Sequence, residues 1–197
     1  MPRLLGDLDA AVEGAEAALA IFRSIPSHGS IAVAISDLAA IRLAQGDVVE
    51  AVRLYREAVA VLDAHSLRHF EAAWPRSGLA GALLSLAEQA ATTSAREESL
   101  AEAEAAAKLA LAHAKVYRPG IVKAARVAGT ARWLRGDDRN ARSWWDRGLA
   151  EARSMGTRLD EADVLLEVGR RTEDAEVAAT GARLMTEILA SPKRDVA

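Results

Sequence analysis

"ISDLAAIRLAQGDVVEAVRLYREAVAVL", residues 35–62, decides how this chain folds. Apolar residues recur at helical spacing on both sides of Gly46-Asp47, and no alternating β pattern interrupts them. Glycine at this point suits the left-handed residue that ends a helix. The aspartate that follows suits an N-cap, its carboxylate accepting a backbone N–H of the next helix. After the turn, Ala51, Tyr55 and Ala58 fall at i, i+4 and i+7, one stripe of that second helix. The stretch therefore reads as a helical hairpin with a tight elbow.

The elbow is written three times: "LLGDLDAA" at 4–11, "AQGDVVEA" at 44–51 and "LRGDDRNA" at 134–141. Gly6 to Gly46 is 40 residues, and Gly46 to Gly136 is 90, or two units of 45. A further unit is thus expected between them. "ESLAEAEAAAKLALAHA", 98–114, supplies it, with Ala103, Ala107 and Ala110 on the same spacing but no Gly-Asp before them. The other stripes are Ala11, Ala15, Ala18 and Ala141, Trp145, Gly148. Small residues at the ends of each stripe admit a neighbouring helix, and the central residue fills the gap that remains. Ala39–Ala40, Gly81 and Gly129, one helix earlier, are expected to face the stripes across each hairpin. Trp145 is expected in the core, and its neighbour Trp144 is expected to seal the next helix pair.

The same period extends over most of the 197 residues. Helices are expected near 6–24, 30–45, 47–64, 68–90, 95–116, 119–135, 138–154, 158–171 and 173–190. Half the composition is hydrophobic (51%), but only 4% is aromatic, so the apolar residues are mostly small and aliphatic, suited to close helix packing. A net charge of −3 offers no global attraction for nucleic acid or an anionic membrane. Without cysteine there is no disulfide, thiolate metal site or thiol nucleophile. No apolar stretch reaches the length of a membrane span, and the acidic N-terminus has no signal-peptide core. A cytoplasmic location is the expectation.

Helix, tight turn and second helix, with these small-residue stripes, resemble the tetratricopeptide repeat. Residues 35–62 carry the resemblance best, and "ARVAGTARWLRGDDRNARSWWDRGLAEA", 125–152, nearly as well. The units are longer than the usual repeat, and Ile35 and Ala125 stand where the family has a tryptophan. The resemblance implies an all-α, right-handed α-solenoid of about nine helices in antiparallel pairs. It would form one domain over 1–190, with a partial first repeat at 4–25, repeats near 29–65, 68–116, 119–155 and 158–190, and a polar tail at 191–197. Residues 130–171 also look like the C-terminal repeat arrays of large bacterial signalling ATPases, regulators and cyclases. No Gly-Lys-Ser phosphate loop accompanies them. The opening half-repeat leaves part of the face made by Leu8, Ala11, Val12, Ala15, Ala18 and Leu19 without a preceding partner, as expected of a helix that packs on a missing domain or a second copy.

Chemistry is sparse. The Gly-Asp phrase lacks the glycines and lysine of a phosphate loop and follows a helix, not a strand. His65 and His69, with Asp63 and Glu71 nearby, have a spacing that seeds metal sites, but the full His-Glu-x-x-His pattern is missing. Glu97-Glu98, Glu102, Glu104, Asp137-Asp138 and Asp160-Glu161 sit beside arginines or lysines and read as solvated faces. No enzyme activity, catalytic residue, cofactor or metal is expected.

The working surface is expected in the concave groove lined by the first helix of each pair. Opposite the packing residues Ala125 and Gly129 stand Lys123, Arg126, Thr130 and Trp133, with Arg76 and Trp74 joining from the preceding unit. This basic patch with aromatic neighbours suits an acidic or carboxylate-bearing peptide. The matching positions of the earlier repeat, Val33, Ser36, Ala40 and Leu43, are mostly apolar, so the Lys/Asn clamp of chaperone-binding relatives is not reproduced. The expected function is a protein–protein interaction scaffold binding a peptide or partner helix. A ligand-sensing regulatory domain of a bacterial signal-transduction protein is the alternative. The bland reading makes Trp74 and Trp133 core residues, and Lys123 and Arg126 ordinary surface charges.

Overall fold

Every helix end exposes backbone groups that need partners, and the way this chain supplies them sets its architecture. The computed structural model describes residues 8–25, 27–68 and 73–190. They form nine helices and no strand: α1 (Leu8–Arg23), α2 (His28–Ala44), α3 (Val48–Ala64), α4 (Ala73–Gln89), α5 (Thr93–Ala114), α6 (Gly120–Leu134), α7 (Asp138–Met155), α8 (Arg158–Thr172) and α9 (Ala175–Ala190).

Gly46 (φ 86°) and Gly136 (φ 77°) both take the left-handed conformation. The next amides close the turns: Asp47 N–H donates to the Arg42 carbonyl at 3.0 Å and Asp137 N–H to that of Arg132 at 2.9 Å. The Asp47 carboxylate accepts from Glu50 N–H at 3.1 Å, and Asp137 accepts from Asn140 N–H at 3.4 Å. The Gly-Asp elbow is therefore a helix stop joined to a helix start. The copy at Gly6-Asp7 lies outside the described residues, as do His69, Glu71 and the tail. In the middle unit Thr92 takes over the cap, accepting from Ala95 N–H at 3.2 Å. Before α9 the left-handed residue is Glu173 (φ 56°), and Asp174 accepts from Glu176 and Val177 N–H, each at 3.1 Å.

Four hairpins result: α2–α3, α4–α5, α6–α7 and α8–α9. The second helix of each packs on the first helix of the next, and α1 packs on α2 as α3 packs on α4. Meanwhile α2, α4, α6 and α8 lie side by side. The array curves with those four helices on its inner side.

The stripes form the core between layers. Ala51, Ala58, Ala103, Ala110 and Ala141 are fully buried, and Trp145 is 1% exposed. A Cβ built on Gly129 would stand 2.4 Å from Trp145 Nε1, and one on Gly78 would stand 2.2 Å from Tyr55 Cε1. Each central aromatic thus lies against a glycine, Trp145 within its own hairpin and Tyr55 on the next.

Two expectations need correction. The nearest atom to a Cβ on Gly81 is Val127 Cγ1, at 3.7 Å, so Gly81 faces α6 and not the α5 stripe. Trp144 packs against the core cluster that includes Ala107 of α5 and Ala128 of α6, and lines a surface pocket with Lys108 and Leu111 of α5, so it turns away from the next hairpin. One residue along a helix is a rotation of about 100°, which turns Trp144 to the preceding unit while Trp145 stays in the hairpin.

Candidate functional site

The inner layer presents one register on successive helices. Val33, Ser36, Ala40 and Leu43 of α2 have the spacing i, i+3, i+7, i+10. Lys123, Arg126, Thr130 and Trp133 of α6 have the same spacing, as do Asp160, Asp163, Glu167 and Arg170 of α8. These residues share a helical face in each case.

A cleft of about 230 Å³ opens on this layer. Val33, Ser36, Asp37, Ala40 and Leu43 of α2 form one wall, and Tyr55 contributes from α3. Trp74, Ser77, Gly78 and Gly81 of α4 form the floor; Lys123 and Arg126 of α6, with Asp163 of α8, close the far side. Gly78 leaves room for Tyr55, whose ring reaches the cleft.

Lys123 Nζ lies 5.5 Å from the centre of the Trp74 ring, a cation–π placement. Tyr117 holds Trp74 edge-on, with 6.4 Å between ring centres. Neither Lys123 nor Arg126 closes an ion pair with another described residue. Ser77 Oγ is buried and without a hydrogen-bond partner. The wall therefore offers two cationic donors, a hydroxyl and a half-exposed indole.

The sequence-derived group divides here. Lys123, Arg126 and Trp74 meet in the cleft. Thr130 shares their stripe but is buried under α8, its hydroxyl donating to Glu167 Oε1 at 2.8 Å. Trp133 leans on Trp145, 5.7 Å between centres, and packs against the core. Arg76 does not reach the cleft. It is two residues from Trp74, about 200° round the helix, and lies buried against Asp63 on the other side of α4.

Helix α8 brings Asp160, which the sequence reading assigned to a solvated face, and Glu167, which it did not single out. Asp160 is partly buried; burial pushes its carboxyl above the usual range, while Lys123 and Arg126 pull it back. Glu167 is more deeply enclosed. Burial pushes its carboxyl up as well, but Arg171, Arg126 and Arg170 outweigh this and hold it at about 2. Arg171 in turn spans to Glu88 of α4, with Nη2 to Oε2 at 2.8 Å, and to Glu167, with Nε to Oε1 at 2.9 Å. The i, i+3, i+7 spacing of Asp160, Asp163 and Glu167 is the signal that would have found them. By contrast Glu97, Glu102 and Glu104 do pair with Arg135, Arg56 and Arg132 on exposed faces.

The His65 ring stacks on that of His28, centres 3.4 Å apart. No group of three or more His, Asp or Glu among the described residues is arranged to hold a metal. No helix among them is long and apolar enough to cross a membrane.

Residues 3–64 match the tetratricopeptide repeat family. No curated protein sequence matches the chain. Among solved structures, a thermophilic TPR protein of Thermus thermophilus is 20% identical, covers 92% of each chain and superposes with a TM-score of 0.60. A single-residue variant of a Podosopora anserina protein, described as kinesin light chain nearly identical TPR-like repeats, is 19% identical. The match covers 96% of this chain and 92% of that one, with a TM-score of 0.57. At these identities the likeness is one of fold.

Proposed function

We propose that this chain, a tetratricopeptide-like repeat array in fold, is a protein–protein interaction scaffold that holds an extended peptide in its inner cleft. Tetratricopeptide repeats generally mediate protein–protein interaction. The observation that carries the reading is the meeting of Lys123, Arg126 and Trp74 from two neighbouring inner helices, with both cations lacking an ion pair among the described residues.

The peptide is one that places a carboxylate between Lys123 and Arg126 and an apolar or aromatic side chain over Trp74. Asp37 and Asp163 also line the cleft, one on each flank. They disfavour a uniformly acidic stretch and favour a single acidic residue set among basic or polar ones, since like charges brought together there repel. Ser77 supports main-chain recognition by offering its hydroxyl to a peptide carbonyl.

A displayed random-peptide library selected on the native array tests this. Enriched sequences should share one acidic residue beside an apolar one. Lys123→Glu combined with Arg126→Glu should remove their binding, and Arg142→Glu, on the exposed surface of α7, should not. Peptides that bind the double reversal as well as the native chain would place the interaction elsewhere.

A further inference from the structure

Trp74 faces the inner cleft, and Arg76, on the opposite side of α4, faces a second cavity of about 460 Å³. This cavity lies where the end of α3 and the residues after it meet the last turns of α5. Its walls are mainly apolar: Leu62, Leu67, Leu109, Ala112 and Val116. Two of these are unusually open for aliphatic side chains, Leu109 at 48% and Val116 at 78% exposure. Its polar groups are Asp63, Ser66, Arg68, Arg76 and His113.

Arg76 is 5% exposed, yet its Nε–H is buried without an acceptor. Among the described residues it pairs with Asp63, Nη2 to Oδ1 at 2.5 Å. A guanidinium is a rigid fork of five donors, and burying one with a donor unfilled is costly. An acceptor entering from the cavity relieves that cost. The charges agree. Burial, and then the charge of Arg76, lower the pKa of His113, which favours its neutral form; Arg68 adds to this by its charge, while its backbone and Asp63 oppose it. Among the described lining residues two arginines therefore face one aspartate, a positive excess beside apolar walls.

We propose that this cavity is a binding site for a small carboxylate with an apolar tail. Arg76 and Arg68 receive the carboxylate, and Leu62, Leu109 and Val116 cover the tail. Planar guanidinium donors match the two oxygens of a carboxylate, and the apolar walls give the tail a surface on which to leave water. The site does not depend on the inner cleft, from which α4 separates it.

Octanoate is the probe, titrated into the full chain by calorimetry and by NMR of the histidine rings. Saturable binding is expected, with His113 moving toward its protonated signature as an anion settles beside it. Acetate lacks the tail and 1-octanol lacks the charge, so each should bind at least about tenfold more weakly. Arg76→Gln and Arg68→Gln should each weaken octanoate by about tenfold or more, the usual loss for a charged hydrogen bond. If Arg76→Gln loses its helical circular dichroism, Arg68→Gln, which alters an exposed side chain, decides alone. Absence of saturable octanoate binding, octanol binding as tight as octanoate, or undiminished affinity in Arg68→Gln overturns the assignment.

Discussion

Gly129 lies against the Trp145 indole: a Cβ there would come within 2.4 Å of both Cδ1 and Nε1. The indole is fixed from a second side, Nε1–H donating to the Arg126 carbonyl at 3.2 Å. Trp145 cannot retreat without losing that bond. Gly129→Ala should therefore destabilise the array by about 1–3 kcal/mol, the range of an overpacked core, despite the better helix propensity of alanine. Urea unfolding followed by circular dichroism measures it, and an unchanged midpoint would show that the contact relaxes freely.

The left-handed residues make a matched pair of opposite sign. At Gly136 (φ 77°) a Cβ meets no atom within 4 Å, so Gly136→Ala tests backbone strain alone. A loss of about 1 kcal/mol is expected. At Glu173 (φ 56°) the strain is already present, and Glu173→Gly should recover roughly the same amount. Thermal unfolding of both variants should move in opposite directions.

Glu167 ties stability to acid. Burial pushes its carboxyl above the ordinary 4.5, but Arg171, Arg126 and Arg170 outweigh burial and hold it at about 2. A lowered carboxylate pKa stabilises the fold above the unfolded value, and that contribution disappears as pH falls through the folded one. The native chain should lose on the order of 2–3 kcal/mol from this group between about pH 4.5 and pH 2. Glu167→Gln should be less stable at neutral pH and should show a flatter stability profile in that window. Denaturant midpoints taken across the acid range check both.

Lys123 stands over Trp74 in the cleft where the proposed peptide would bind. Trp74→Ala should weaken a selected peptide by about 1 kcal/mol, roughly fivefold, with little loss of stability because the indole is half-exposed. Fluorescence anisotropy of a labelled peptide reads the affinity. Rising salt should weaken the native complex and have less effect once Lys123 and Arg126 are both reversed.

Much of the scaffold is legible in the chain itself. Gly46, Asp47 and the Ala51, Tyr55, Ala58 stripe act within a few residues of one another, so their spacing fixes a helix end, a cap and a buried face. The cleft is legible in part. Lys123 and Arg126 are found because one helix fixes their angular position, and Arg76 is misassigned because two residues along that same kind of helix turn it to the far side.

The sequence by itself determined the helices, their elbows and the faces they bury, because turn chemistry and the 3.6-residue period are local. Only the tertiary structure decided what those faces meet. It laid Glu167 over Thr130, leaned Trp133 on Trp145, turned Trp144 back to the preceding hairpin, and buried Arg76 with one donor unfilled. Apart from the Trp133–Trp145 contact, which lies inside one hairpin, each depends on how far one hairpin is rotated against the next. That rotation is set by the summed packing of many small side chains across the interface, and no short stretch of sequence contains it.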